Sequence, residues 1–312
     1  MKNKNNTKLS KKSINNSTLL CVLFLVLLTL FIIMFYYIKE NIDNMENMEN
    51  NNNENKLVIH KFCIGFFACC SDILKHVSIY FNNHKKEPQI VDTSQQFSIY
   101  KPSQIEADIM THFFKKRNDI NIAYSDSIYY DHDLQFKKYI DIDYKKLTPF
   151  IEKYFSPSQD ILNIKNKIVN KYNINVDDYC AVYYRGTDKK IETTIGSFDT
   201  YIDKMNELLS KEPTIKFIIQ SDSKDFIDTV KSKFTNSVSF DEENVPSTSD
   251  KGIHNEKSPD DNYMIIKNFL AIVYLISKSK YIICSSGNCS IWMMLYRGNC
   301  NNVKQFLNNE WY

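Results

Sequence analysis

Glycine and proline are scarce in this chain, with six and seven in 312 residues, and the formal net charge is only +2. A nucleic-acid-binding protein normally carries a basic face, so the balanced charge argues against that class. The six histidines show no zinc-ligand spacing, and the vicinal Cys69-Cys70 pair lacks a Cys-x-x-Cys partner or a nearby histidine. The chain is instead rich in Asn, Lys, Ile and Tyr. This bias is typical of an AT-rich genome, so a scattered Asn or Lys carries little functional weight.

An uncharged apolar run occupies residues 19–38. As a helix it would rise about 30 Å, which matches the hydrocarbon core of a bilayer. A cleavable signal peptide would have an apolar region of about 7–15 residues and a small-residue cleavage site, and this run has neither. Lysines without acids precede the run, and acids are frequent after it. We therefore predict a single-pass type II membrane protein with a cytoplasmic tail at residues 1–18 and a lumenal catalytic region, in a membrane of Golgi, ER or host-derived type.

An Asn-rich stalk at residues 39–56 connects this run to globular sequence, in which strand and helix patterns alternate as in an α/β sheet. The first part, residues 57–156, is expected to be the acceptor-side domain. Its predicted strands are 57–64, 89–91 and 120–124, and its predicted helices are 72–81 and 105–116. A connector helix at 157–172 is predicted from a Ser156 cap followed by Pro157.

The second part, residues 157–312, alternates more regularly and reads as a Rossmann-like donor-binding domain. Its predicted strands are 180–184, 216–220, 237–240 and 281–284, and its predicted helices are 198–209, 224–234, 263–277 and 290–296. In such sheets ligands bind at the carboxyl ends of the strands. We therefore expect two Rossmann-like domains, the arrangement called GT-B among glycosyltransferases, behind an N-terminal transmembrane helix.

Three polar segments follow predicted strands of the second part: residues 184–189, 220–223 and 285–290. In the first, Arg185 offers a planar fork that pairs with phosphate through two hydrogen bonds. The third is a small-residue turn that runs into a helix, where free backbone N–H groups can hold a diphosphate without a metal. Plainer interpretations remain open: solvated loop charges for the first segment, and ordinary helix caps for Asp222 and for the 285–290 turn.

The segment at 182–189 (VYYRGTDK) resembles the first motif of the alpha-1,6-fucosyltransferase, nodulation fucosyltransferase and protein O-fucosyltransferase superfamily, in which a strand ends His-x-Arg-x-x-Asp-Lys. Residues 217–222, 252–255 and 281–289 resemble, in order, the family's second strand with its acidic end, its Gly-Leu-His-Asn loop and its closing Ser-Ser motif. The resemblance covers roughly residues 178–298. It implies two Rossmann-like domains, inverting chemistry, a GDP-fucose donor, a glycan or glycoprotein acceptor, and no metal or other cofactor.

The resemblance also implies roles for single residues. Arg185 would grip the β-phosphate, and Ser285 and Ser286 would contact the diphosphate. The remaining residues of the implied catalytic and donor-binding site are Tyr183, Asp188, Lys189, Glu192, Asp222 and His254. Among these, Glu192 lies near the family's candidate base, and Asp222 and Lys189 would support the donor pocket.

Three positions depart from the family pattern. Tyr183 replaces the motif's His, and Gly186 replaces a second Arg of the alpha-1,6 enzymes. Ala271 and Ile272 stand where the family has an Asp that reads guanine. The identity of the donor base therefore stays open, and so does a second function, that of a non-catalytic sugar-binding or structural membrane protein with the same fold.

Two acidic motifs, two cysteines and a glycosylation sequon have simpler explanations than a catalytic role. Asp131-His132-Asp133 and Asp141-Ile142-Asp143 have the Asp-x-Asp spacing with which many other glycosyltransferases bind Mn²⁺ or Mg²⁺, but acid-rich loops produce it by chance. Cys180 and Cys284 lie in apolar strands and are expected to be core residues. The sequon at 288–290 falls in the turn of the expected site, so we predict that it is not glycosylated.

Overall fold

A computed structural model describes residues 56–60, 65–105, 107–122, 127–186, 194–243 and 257–312. Residues Glu54–Tyr312 form one compact unit. The predicted tail and transmembrane run lie outside the described residues, and so does the predicted stalk except for Lys56, which is the first residue of a strand. Within the described part, no helix combines the length and the apolar composition that crossing a membrane requires.

The first part of the unit is mostly helical. Among its described residues, Lys56–Val58 pairs in parallel with Ile90–Asp92, which confirms two of the predicted strands. In chain order its elements are β1 (Lys56–Val58), α1 (Phe66–His84), β2 (Ile90–Asp92), α2 (Met110–Phe113), β3 (Phe114–Lys115), α3 (Tyr144–Tyr154), β4 (Ser156–Pro157) and α4 (Gln159–Tyr172). Short 3₁₀ turns lie at Ser98–Tyr100, His132–Phe136 and Tyr139–Asp141.

The second part is built on a sheet of six strands among the described residues. Its elements are β5 (Tyr179–Tyr184), α5 (Phe198–Lys211), β6 (Lys216–Ser221), α6 (Lys224–Lys233), β7 (Ser237–Ser239), α7 (Pro259–Ile276), β8 (Tyr281–Ser285), α8 (Asn288–Arg297), β9 (Val303–Leu307) and β10 (Glu310–Trp311). The strand order is β10-β9-β8-β5-β6-β7, and all neighbours are parallel except β10 and β9. This is the predicted Rossmann-like topology.

Both faces of the sheet are buried, which the strand β5 shows residue by residue. Its sequence YCAVYY has no charge, and every side chain is buried. Because successive side chains of a strand point to opposite faces, Tyr183 belongs to the core shared with α7 and α8, whereas Tyr184 belongs to the core shared with α5 and α6. The helices thus cover the sheet from both sides, as in a doubly wound fold.

Several predicted boundaries were wrong. The cap of α4 is Ser158, whose hydroxyl accepts the Ile161 N–H, while Ser156 and Pro157 form β4 against β3. The helix expected at 105–116 is reduced to the four residues of α2. Residues 120–122 are not a strand, and 123–126 lie outside the description. Helix α3 and strands β9 and β10 were not predicted.

The hydrophobic core is continuous across the expected domain boundary after residue 156. One cluster of buried side chains joins α1 and α3 to α4, α7 and α8. Trp292, which is fully buried, contacts Phe67 and Phe155 with ring-centroid distances of 5.9 and 4.8 Å. The division at 156/157 stays a prediction.

Candidate active site at the carboxyl edge of the sheet

The strand order reverses between β5 and β8. From β5 the chain winds outward through β6 and β7 on one side, and through β8 and β9 on the other. In an open parallel sheet this switch point leaves a crevice at the carboxyl ends of the two strands. Arg185 directly follows β5, and the turn at Ser286 and Gly287 directly follows β8. The two sequence segments that we expected to bind phosphate therefore flank the crevice.

Arg185 is held in place by Asp222, which follows the adjacent strand β6. The guanidinium Nε lies 3.0 Å from Asp222 Oδ2, and the other carboxylate oxygen accepts the backbone N–H of Gly186 at 2.8 Å. The Arg185 side chain is 29% exposed and that of Asp222 is 13% exposed. A half-buried, paired arginine is not a solvated loop charge, so that interpretation is wrong for Arg185.

The alternative interpretation of Asp222 as a helix cap is also wrong. The cap of α6 is Ser223, whose hydroxyl accepts the Phe226 N–H at 3.3 Å. Asp222 therefore contacts the residues that follow β5, and it does not cap α6. A carboxylate at this position orients the guanidinium through a charge-assisted contact, which is stronger than a neutral hydrogen bond.

Gly186 has a steric reason to be glycine. A Cβ built there would lie 2.5 Å from Cε1 of Tyr184. The Tyr184 ring is buried and stacks on Phe226 at a centroid distance of 4.3 Å, so it has little room to move away. The backbone therefore turns tightly over Tyr184, and an arginine at this position would require Tyr184 to move.

Tyr183 points to the opposite face of β5 from Tyr184. Burial raises the pKa of Tyr183 well above its ordinary value, and the nearby Cys289 thiol acts in the same direction, while the charge of Arg185 opposes them. Its hydroxyl interacts with the Cys289 thiol at the start of α8. Tyr183 therefore lies beneath the crevice, between Arg185 and helix α8.

The turn after β8 separates the two predicted serines by role. Ser286 is tied to β9: its hydroxyl donates to the Phe306 carbonyl at 2.9 Å and accepts from Gln305 Nε2 at 2.8 Å. Ser285 is 4% exposed, and its hydroxyl lies beside that of the buried Tyr201, with which it interacts. Ser286 thus shapes the turn, and Ser285 is a buried residue at the end of β8.

Gly287 completes this turn with a backbone that disfavours other residues. Its φ is 152°, in the range that L side chains rarely adopt. Its N–H donates to the Tyr139 hydroxyl at 3.0 Å, and that hydroxyl donates to the Gly287 carbonyl at 3.1 Å. Tyr139, from the first part of the chain, therefore fixes the conformation of the glycine at which α8 begins.

Helix α8 begins at Asn288, two residues before its predicted start, and further side chains of the first part hold it. Asn288 Nδ2 lies 3.1 Å from His132 Nε2, and its Oδ1 accepts the Ser71 hydroxyl at 3.3 Å. The Asn288 amide is therefore engaged in the fold, and the unmodified state of the sequon stays a prediction. Sequence reasoning missed these contacts: no motif marks Tyr139 or Ser71, and His132 was considered only as the middle residue of the Asp131–Asp133 pattern.

The remaining predicted site residues are outside the description. Asp188, Lys189 and Glu192 fall in the range 187–193, and His254 falls in the range 244–256. Their roles stay predictions. On α7, Ala271 and Ile272 are both fully buried, and the core takes up their side chains.

The Asp-x-Asp patterns have structural roles. Asp131 accepts the backbone N–H of Asp133 at 3.0 Å and pairs with Lys75 at 2.9 Å. Asp143 caps α3 by accepting the Lys146 N–H. Across the residues with described positions, no group of three or more His, Cys, Asp or Glu side chains is placed to hold a metal ion. Cys180 and Cys284 are fully buried core residues, as predicted.

The sequence matches no protein-family model and no protein with a curated description. The structure is similar to that of NodZ alpha-1,6-fucosyltransferase soaked with GDP-fucose, with a TM-score of 0.49 and 13% identity, covering 82% of this chain and 97% of that one. It is also similar to fucosyltransferase NodZ from Bradyrhizobium, with a TM-score of 0.46 and 11% identity, covering 82% and 96%.

A third similar structure is a mutant of Arabidopsis thaliana FUT1 in complex with GDP, with a TM-score of 0.35 and 13% identity, covering 81% of this chain and 49% of that one. Two of these three structures are named as fucosyltransferases.

Proposed function

We propose that this chain is a glycosyltransferase that transfers fucose from GDP-fucose to a hydroxyl of a glycan or glycoprotein. The observation that carries the proposal is the placement of Arg185 at the switch point, where Asp222 orients it and the turn at Gly287 follows the adjacent strand β8. A guanidinium is a planar fork that can pair with a phosphate through two parallel hydrogen bonds. The identities of the sugar and of the nucleotide in this proposal come from the motif resemblance.

The proposed reaction is a single displacement with inversion. An acceptor hydroxyl attacks the anomeric carbon, the bond from that carbon to the β-phosphate oxygen breaks, and the electron pair leaves with GDP. A fixed cation at the leaving oxygen stabilises the negative charge that develops in the transition state, which is the role of Arg185. Glu192 is the proposed acceptor of the hydroxyl proton, Asp188 and Lys189 support the site, and no metal ion is required.

The proposal includes a type II membrane anchor, with residues 19–38 in the bilayer and the catalytic region in a lumen. It rests on the uncharged run and on the lysines that precede it. Protease added to intact microsomes should trim at most the first ~18 residues, because the positive flank stays on the cytoplasmic side. Digestion of the globular region without detergent would exclude this topology.

One observation favours the second candidate, a non-catalytic sugar-binding or structural membrane protein. Ala271 and Ile272 are fully buried where the resembled family has its guanine-reading Asp, so no carboxylate at these two positions can accept the guanine N–H groups. An enzyme and a non-catalytic relative differ in turnover, which makes turnover the quantity to measure.

A screen of nucleotide sugars tests the proposal. The full-length chain is incubated with GDP-fucose and with other GDP-, UDP- and CMP-sugars, and release of the nucleotide is followed with and without a mixture of glycoprotein acceptors. We expect release from GDP-fucose that increases when acceptor is present. Donor binding by calorimetry without any release would favour the second candidate. The absence of both binding and release would refute both uses of the donor site.

A further inference from the structure

The segment at residues 93–105 follows β2, at the carboxyl end of the parallel pair β1 and β2. Its two ends are tied together at Thr93, whose backbone N–H and hydroxyl both donate to the Asp108 carboxylate at 2.7–2.9 Å. The same carboxylate accepts the Met110 N–H at 2.9 Å and so joins the loop to α2. A surface loop closed at its neck in this way is of the Ω type, which frequently carries function.

Buried side chains anchor this loop to the body of the protein. Gln96 is 2% exposed and donates to the His60 carbonyl. Tyr100 is 5% exposed, and its hydroxyl accepts the Phe66 N–H at the start of α1 at 3.0 Å. Phe97 is 1% exposed and has a φ of 58°, a left-handed backbone that residues other than glycine rarely adopt. Such strain persists only where the surroundings hold it, and it concentrates at functional sites.

Seven side chains of the loop line a cavity of about 410 Å³. The cavity is open to solvent, since Ser94, Gln95 and Ser103 are exposed, so it would contact a ligand from one side. The cavity wall combines hydroxyl and amide groups with two apolar side chains: Ser94, Gln95, Ser98, Ser103, Pro102 and Ile105. Lys101 is the only charged side chain among the lining residues in the described part of the chain, and no carboxylate lines the cavity there.

This composition fits a sugar ring. Serine hydroxyls both donate and accept hydrogen bonds, and a side-chain amide has an N–H₂ donor group and a carbonyl acceptor. The cavity wall can therefore pair with sugar hydroxyls that act as donors or as acceptors. The apolar side chains suit the C–H face of the ring.

The loop also lies near the carboxyl edge of the six-stranded sheet. The turn at Ser98–Tyr100 packs against α7 of the second part, where Asn262 in the first turn of α7 donates to the Ile99 carbonyl at 3.2 Å. Helices of a doubly wound fold begin at the carboxyl edge of the sheet. Ser98 lines the cavity and Ile99 contacts the start of α7, so one short turn connects the cavity to that edge.

We infer that the 93–105 cavity is the acceptor site, and that it binds a neutral sugar residue of the glycan beside the residue that presents its hydroxyl toward Arg185. The assignment of the cavity as the acceptor site rests on the proposed function. The inference that the cavity binds a sugar is independent of that function, because it is drawn from the anchored loop and the residues that line the cavity.

The test uses three tryptophan variants of the full-length chain. Ser98→Trp and Ser103→Trp fill the cavity, and Gln104→Trp is the matched control, because Gln104 is exposed on the same loop and is not among the lining residues. Each is applied to a printed array of neutral oligosaccharides and their sialylated and sulfated counterparts. The best neutral oligosaccharide is then titrated by calorimetry with variants whose Tm stays within about 2 °C of the wild type.

We expect at least one neutral oligosaccharide to bind the wild type. Its affinity should fall at least tenfold in Ser98→Trp and in Ser103→Trp, and it should change less than twofold in Gln104→Trp. Equal binding by all variants, binding of acidic oligosaccharides alone, or no binding at all would overturn the inference. GDP is titrated into the same proteins as an independent measurement. Oligosaccharide binding at this cavity without GDP binding would refute the proposed function and leave a sugar-binding site, whereas GDP binding without oligosaccharide binding would refute the acceptor site alone.

Discussion

Arg185 and Asp222 form an ion pair that joins the ends of two adjacent strands, with Nε 3.0 Å from Oδ2. The second oxygen of the same carboxylate accepts the Gly186 N–H at 2.8 Å. Asp222 thus fixes both the side chain of Arg185 and the backbone that follows it. This arrangement fixes the guanidinium before a ligand binds, which reduces the cost of reorganisation during a reaction.

Arg185→Ala should lower turnover far more than it weakens donor binding. A cation at the leaving diphosphate acts mainly in the transition state, when the glycosidic oxygen gains charge. Comparable oxyanion donors are worth on the order of 10²–10³-fold, so we expect at least that loss in kcat for the folded variant. Arg185→Lys should recover activity only in part, because an ammonium keeps the charge and loses the fork.

Arg117→Ala is the matched control for Arg185. Arg117 pairs with Asp119 on the surface, with side-chain exposures of 39% and 65%, and such pairs contribute about 0–1 kcal/mol to stability. The kcat and KM of the Arg117→Ala variant should stay within twofold of the wild-type values. Near-normal kcat in Arg185→Ala, measured with GDP-fucose and a saturating acceptor, would show that this arginine is not at the leaving group.

Asp222→Asn should reduce kcat by roughly tenfold through its effect on Arg185. The amide oxygen can still accept the Gly186 N–H, but it no longer carries the charge that orients the guanidinium. In the Arg185→Ala background the same substitution should have almost no further effect, since two residues that act through one contact are not additive. Asp225→Asn, on the exposed first turn of α6, is the control. Additive losses in the double variant would mean that Asp222 acts separately from Arg185.

Gly186→Ala should destabilise the fold by about 1–3 kcal/mol, the range for overpacking a filled site. The added Cβ would lie 2.5 Å from the buried Tyr184 ring, so either that ring or the loop after β5 must shift. Gly65→Ala is the control, because the nearest atom to its Cβ would be Ala68 Cβ at an ordinary 3.7 Å. Urea unfolding of the two variants gives the comparison, and equal midpoints would contradict the steric argument.

The sequence was sufficient to predict the Rossmann-like part and the position of Arg185. Uncharged strands such as β5 alternate with amphipathic helices, and parallel strands end at one edge of the sheet, so a residue after a strand is placed by local pattern alone. The start of α4 was predicted less well. Ser156 and Ser158 are both suitable caps, and the pairing of β4 with the distant β3 decides between them.

The roles of Ser285 and Ser286 could not be predicted for a similar reason. Ser286 is held by Gln305 and Phe306 on β9, about twenty residues further along the chain. Tyr139 reaches Gly287 across 148 positions. No local pattern encodes contacts of this length, so the sequence located the turn correctly and left its internal hydrogen bonds undetermined.

Activity should survive removal of divalent ions with EDTA. In the proposed site, Arg185 and the N-terminus of α8 neutralise the diphosphate, and neither requires a metal. The double variant Asp131→Asn with Asp133→Asn should retain activity, because Asp131 already pairs with Lys75 and caps its own turn. Complete loss of turnover in EDTA, restored by Mn²⁺, would instead assign a metal to the Asp131–Asp133 pattern.

The last prediction concerns pH and the pair His76 and Asp72 on α1. Burial acts to lower the pKa of His76, but contacts with Asp72 outweigh it and raise the pKa above 6.5. His76 Nδ1 lies 3.3 Å from the Asp72 carboxylate and 2.8 Å from the Asp72 carbonyl oxygen. A group with a raised folded-state pKa contributes stability that is complete below its unfolded pKa and disappears as the pH rises through the folded value.

The Tm difference between wild type and His76→Gln should therefore be larger at pH 5.5 than at pH 8.5, by a few degrees if the pair contributes about 1 kcal/mol. The Asp72→Asn variant supplies the control. It removes the carboxylate that favours the charged imidazole while burial still acts to lower the pKa of His76, so the larger effect of His76→Gln at pH 5.5 should disappear or reverse in that background. Thermal scans at the two pH values in all four proteins complete the cycle. An effect of His76→Gln that is independent of pH in the wild-type background, or larger at pH 8.5, would show that the imidazole is not charged through Asp72.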